Sequence, residues 1–162
     1  MNFVVIGTDH NMQSRDPGLE GLLSGFLKLK YIEPLQAIAE EYGEKIGESI
    51  AQRFAQGSGL CWYNLDMTRE EKHKAGILEE QRSRPISHDR VAFRLPSDDV
   101  REEAWVRKLT GPQSGTTVVI CGYLHFERLV GQLRAQGHVV DTRVYLESVP
   151  EIKLMGLRLP LS

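Results

Sequence analysis

The sequence predicts an α/β fold: a single domain of three layers, with a small, mainly parallel sheet flanked by helices. Three observations carry this. Val4-Val5-Ile6 and Val118-Val119-Ile120 are apolar without alternation, as strands buried on both faces are. Amphipathic helical patterns separate the strand-like runs. Thr116 to Leu146 has the order and length of a β-α-β unit with a right-handed crossover. A chain of 162 residues suits one domain that buries roughly two-thirds of its unfolded surface.

Phe3 to Ile6 is the first predicted strand, and Gly7 to Gly18 is a polar connection carrying Asp9, His10, Asn11, Gln13 and Asp16. Leu19, Leu22, Leu23, Phe26 and Leu27 then follow the spacing of an amphipathic helix, with Gly21 and Gly25 as weak points. Pro34 fits the first turn of a longer helix, in which Leu35, Ile38, Tyr42, Ile46, Ile50 and Phe54 keep helical spacing to Gly57. Leu60 to Leu65 is the second strand, ending at Asp66, and Thr68-Arg69-Glu70-Glu71 is a capping-box pattern opening the next helix.

From about 82 to 96 periodicity is lost, and two prolines with Arg82, Arg84, Arg90 and Arg94 predict a mobile basic excursion that suits a lid. Ser97 is the expected N-cap of a helix running to about Leu109, with Asp98 and Asp99 in its first turn. Thr116 to Cys121 is the third strand. A helix with Phe126, Leu129, Val130 and Leu133 on one face follows and closes at Gly137; Val139 to Leu146 alternates like an edge strand. From about residue 151 the tail is apolar enough to dock on the body.

The formal charge of −2 provides no global field for nucleic acid or anionic membrane, so neither is an expected partner. Cys61 and Cys121 both lie in apolar strand-like runs, where thiols act as small buried hydrophobes rather than disulfide partners. Met1-Asn2-Phe3 lacks a basic leader, and no stretch approaches a membrane span, so the expected location is the cytoplasm. Oligomeric state is not legible. No G-x-G-x-x-G after a strand, phosphate-binding G-x-x-x-x-G-K-[ST], H-E-x-x-H or G-x-S-x-G is present, which argues against dinucleotide oxidoreductases, P-loop NTPases and ordinary serine hydrolases.

The chemistry-bearing residues concentrate after two strands. Each β-branched run leads into a glycine, two residues and a histidine: Gly7 to His10 and Gly122 to His125. Ligands of open α/β sheets bind beyond the carboxyl ends of the strands. Two imidazoles converging there are the minimum for ligating a metal or for acid–base work, and Asp9 would add an oxygen ligand or an orienting carboxylate. On the Ser97 helix, Glu102 shares a face with Trp105, Val106 and Leu109. An inward Arg101–Glu102 pair would mark a site; the alternative is a solvated Arg101 and Glu103 with Glu102 in local helix pairs. Asp66 sits at another strand-to-helix junction, as a site carboxylate or as ordinary turn chemistry. Chance occurrence of G-x-x-H, with each histidine capping a helix, is the competing account of the motif pair. His73 and His138 are expected to be structural or solvated, and His88, in the basic excursion, is a weak candidate for substrate contact.

Gly7 to His10, Arg101-Glu102-Glu103-Ala104-Trp105 and Gly122 to His125, in that order, resemble the group that includes TraB, the Tiki proteases, the erythromycin esterases and the ChaN-like haem-binding proteins. Members carry two G-x-x-H motifs around a central arginine helix. Asp9 stands where the group usually has glutamate, and the chain is shorter than its catalytic members. The resemblance implies hydrolytic chemistry in some members and ligand binding in others. The expected function is therefore a small hydrolase. His10 and His125, helped by Asp9 and Glu102, bind a divalent metal (through His10, His125 and Asp9) or activate water directly, and Arg101 stabilises negative charge. Asp66, Arg90 and Arg94 would contact a polar or anionic small molecule or peptide. The alternative is a non-catalytic module binding a small molecule or partner at the same sheet edge.

Overall fold

The computed structural model describes residues 1–29, 33–43, 47–78, 94–111 and 115–146. Strand β1 (Asn2–Thr8) and strand β4 (Thr116–Gly122) pair in parallel from Asn2 opposite Thr116 to Thr8 opposite Gly122. Both are buried along nearly their whole length, which is why both read as unbroken apolar runs. Strand β5 (Val139–Tyr145) pairs with the other side of β1, and its alternating exposure is that of an edge strand.

The main departure from the sequence expectation lies between β1 and β4 in the chain. The segment predicted as a helix from Pro34 to Gly57 forms strand β2 (Leu35–Glu40) and, later, helix α3 (Ile50–Ser58) capped by the Ser49 side chain. Strand β2 lies between β4 and strand β3 (Cys61–Asn64), parallel to both. Ala37, Ile38 and Ala39 are buried. A short apolar run covered on both faces satisfies helical spacing by coincidence, and here pairing with two neighbouring strands decides its conformation.

The sheet order is β3-β2-β4-β1-β5, all parallel. Alternate residues of the strands feed two cores. Val4, Ile6, Ile38, Val118 and Ile120 pack with Leu19, Leu23 and Phe26 of helix α2 (Pro17–Lys28) and with Ile50, Ala51 and Ala55 of α3. Phe3, Val5, Ala39, Val119 and Cys121 pack on the other face. Their partners are Trp105, Val106 and Leu109 of helix α5 (Pro96–Leu109), and Phe126, Leu129, Val130 and Leu133 of helix α6 (Tyr123–Ala135). The result is the expected three layers.

Chain direction across the sheet reverses between β2 and β4. From β2 the chain moves outward to β3 by way of α3; from β4 it moves to the opposite edge by way of α6. Such a reversal leaves a crevice beyond the strand ends, because the two following helices leave on opposite faces.

Smaller corrections have local causes. The connection after β1 is helical: α1 (His10–Arg15) is capped by the Asp9 side chain, and Asp16 caps α2. Gly21 and Gly25 lie inside α2 without breaking it, and among the described residues nothing approaches them closely. Leu95, not Ser97, is the N-cap of α5; its N–H donates to the Asp98 carboxylate, and Pro96 takes the first helical position, where its missing N–H costs nothing. The capping box at Thr68 and Glu71 does open helix α4 (Arg69–Lys74). Cys121 is buried, but Cys61, at the start of an edge strand, is exposed; both are free. Among the described residues no helix is long and apolar enough to cross a membrane. Arg90, His88, most of the basic excursion and the apolar tail from 151 lie outside the described residues.

Candidate functional site

The strand ends gather residues from five segments. Glu41, the residue after β2, is central. Its backbone N–H donates to Ile120 O and its Oε2 accepts from Gly122 N at 2.8 Å, so the carboxylate is tied to the end of β4 from both main chain and side chain. Its other oxygen, Oε1, faces both histidines, with His10 Nε2 at 3.7 Å and His125 Nε2 at 3.6 Å. The two ring nitrogens are therefore no more than about 7 Å apart.

The two G-x-x-H motifs interlock. A side chain at Gly122 would place its Cβ 2.9 Å from His10 Nε2, and one at Gly7 would lie 2.9 Å from the Phe126 ring. Each motif's glycine thus makes room for the segment that follows the other motif's strand. His10, with 52% of its side chain exposed, faces solvent, whereas His125 is buried under α5 and meets the edge of the Trp105 ring at 4.8 Å.

Arg101 closes the cluster from α5. Its Nη2 donates to Glu41 Oε1 at 2.6 Å, its Nε to Asp66 Oδ1 at 3.0 Å, and its Nη1 lies 3.3 Å from His125 Nε2. Asp98 approaches the same guanidinium at 3.8 Å, and the Trp105 ring lies beneath it at 5.0 Å. Asp66 is held in turn by the Lys72 ammonium, while Lys108 donates to its backbone carbonyl. Behind His125, Nδ1 contacts Glu102 Oε1 at 2.7 Å. Glu102 is completely buried and accepts a two-pronged bond from Arg94, both prongs 2.8 Å, with Arg128 Nε at 3.1 Å. Arg101 and Glu102 therefore both point inward, and the solvated alternative does not occur.

Burial pushes the Glu41 carboxyl up, but His125, His10 and Arg101, together with the Gly122 N–H, outweigh it and bring it down to about 2. Burial likewise works against the Arg101 charge, and Glu41 and Asp66 reverse that, holding it above the ordinary arginine range. Cys121 behaves oppositely: burial, Glu41 and Glu102 all raise its thiol well above the usual value, so it is no nucleophile.

Of the residues singled out in the sequence, His10, His125, Arg101, Glu102 and Asp66 come together. Arg94 stands behind the site, spent on Glu102, Asp99 and the Leu124 carbonyl rather than turned toward a substrate. Asp9 is engaged in capping Asn11 N. Glu41 is the central residue that sequence reasoning missed, because it fell inside the helix expected from Pro34. The available signal was the pair of acids Glu40-Glu41 closing a short apolar run, comparable to Asp66 at the end of its own strand.

The donors available to a divalent cation would be His10 Nε2, His125 Nε2 and Glu41 Oε1. As arranged they do not fit one, since the Arg101 guanidinium already serves Glu41 and His125 as their cation. Among the described residues no group of three or more His, Cys, Asp or Glu side chains is placed to hold a metal. No family model matches the chain, and no curated protein or solved structure matches it.

Proposed function

We propose that this protein is a small cytoplasmic hydrolase in which His10 and His125 work as a pair on a polar small molecule or peptide. The single observation behind this is the approach of both Nε2 atoms to one oxygen of Glu41, beyond the strand ends and beside a fixed guanidinium. His10, the solvent-facing member, is the base: its Nε2 takes a proton from water, and the resulting hydroxide attacks the scissile carbon or phosphorus. The imidazolium then returns that proton to the leaving group. Arg101 offers N–H donors to the negative charge that develops on the substrate oxygen. Glu41 holds Arg101 beside the pair, and Glu102 holds His125 as a carboxylate holds the imidazole of a hydrolytic triad. The free state of both cysteines suits a reducing compartment.

A binding module at the same edge is the second reading, favoured by one observation: Glu41, Arg101 and Glu102 are all satisfied within the protein. Wild type, His10→Ala and His125→Ala assayed on ester, amide and phosphoester panels, with and without chelator, separate the two. Hydrolysis of one class, lowered about 10²–10⁴-fold in each variant, supports the enzyme. Silence of the wild type across all panels supports the binding module, and loss of turnover with chelator restores the metal form.

A further inference from the structure

Gln13 lies one turn beyond His10 on α1 and is completely buried. One end of its amide is 2.9 Å from His10 Nδ1, and the other is 3.1 Å from the backbone carbonyl of Glu41. That carbonyl can only accept, so the amide nitrogen must face it and the amide oxygen must face the imidazole. An amide oxygen also only accepts, so Nδ1 must carry the hydrogen. In the neutral ring the lone pair is then left on Nε2, which lies 3.7 Å from Glu41 Oε1.

His125 reaches the same state by different means. Its Nδ1 contacts the Glu102 carboxyl group that Arg94 and Arg128 also hold, and its Nε2 lies 3.3 Å from Arg101 Nη1, which has only hydrogens to offer. Both imidazoles therefore present Nε2 as an acceptor. For His125 this is enforced by charge, but for His10 it rests on one neutral amide.

We infer that Gln13 is a positioning residue that locks His10 in its Nδ1–H tautomer and thereby makes Nε2 the basic nitrogen of the site. The inference builds on the proposed hydrolytic role of His10, but its structural content is independent of turnover. A free neutral imidazole favours the opposite tautomer, with hydrogen on Nε2, so removal of the amide acceptor lets His10 relax toward a ring that donates into the site. Gln13 also links the ring to the end of β2 through the main chain of Glu41, the residue whose side chain the same ring faces.

The test is long-range ¹H–¹⁵N spectroscopy of the full chain labelled in histidine, at mildly alkaline pH where imidazole is neutral, with His10→Ala used to assign the resonance. Wild type is expected to show His10 as the Nδ1–H tautomer, and Gln13→Met to shift it toward Nε2–H while His125 stays unchanged. On any substrate found, Gln13→Met should lower kcat about tenfold or more with little effect on KM. A wild-type His10 carrying its hydrogen on Nε2 overturns the inference without any variant, and so does a folded Gln13→Met that keeps the wild-type tautomer. If Gln13→Met does not fold, Gln13→Leu replaces it. If the tautomer behaves as expected and no substrate is turned over, the hydrolase reading fails while the positioning role stands.

Discussion

Glu40→Gln should change how stability responds to pH. Glu40 is completely buried at the end of β2, next to Glu41. Its Oε2 accepts from Ser49 Oγ and from Trp62 Nε1, while its Oε1 has no hydrogen-bond partner among the described residues. Burial raises its carboxyl from 4.5 to about 7, against the two hydrogen bonds and the field of His10, which lower it. A pKa higher in the folded than in the unfolded state means that the native protein binds this proton more tightly. The contribution of Glu40 is therefore fully present below the unfolded value of 4.5 and is lost as the pH rises to about 7. A displacement of that size is worth about 3 kcal/mol. Urea denaturation followed by tryptophan fluorescence, repeated from about pH 4.5 to about pH 8, measures it. Wild type should lose about 3 kcal/mol relative to Glu40→Gln over that range, because the amide does not titrate. Only the slope is diagnostic, since the amide nitrogen inherits the place of the unpartnered oxygen and carries its own cost. Parallel pH curves for the two proteins, or a wild type that gains on the variant as pH rises, would refute the argument.

Glu41 has the opposite sign. With its carboxyl lowered to about 2, its contribution is present above 4.5 and lost as pH falls from there toward 2, so Glu41→Gln should flatten the acid limb of the same denaturation series. Arg94→Met should cost about 3 kcal/mol by equilibrium unfolding, because it strips the two-pronged bond from a carboxylate with no exposure and leaves Arg128 as its remaining arginine. Gly7→Ala should cost about 1–3 kcal/mol in the same assay, as its Cβ meets the buried Phe126 ring at 2.9 Å. Gly122→Ala would meet His10 Nε2 at 2.9 Å and the buried Glu41 Oε2 at 3.2 Å, so it too should cost about 1–3 kcal/mol, while kcat falls at least about tenfold on any substrate found.

Much of the sheet was legible because parallel strands covered on both faces must be apolar without interruption, and β1 and β4 meet that requirement in only a few residues. Strand β2 meets it too, but Leu35, Ile38 and Tyr42 also satisfy helical spacing, and nothing local distinguishes the two until β3 and β4 are in place on either side. Likewise the face of α5 carrying Glu102 and Trp105 was readable, but the inward direction of Arg101 was not. A buried guanidinium is tolerable only beside carboxylates, and its partners Glu41 and Asp66 lie 60 and 35 residues away in the chain.

The sequence by itself determined that two strands would each deliver a histidine past a glycine, since that depends only on neighbouring residues and on the burial that a parallel sheet imposes. The tertiary structure decided what the histidines face. Glu41 receives the Gly122 N–H across 81 residues of chain, His10 approaches it from α1 and His125 from α6. Those contacts follow from the strand order β3-β2-β4-β1-β5, and strand order is set by long-range pairing and packing rather than by any local pattern.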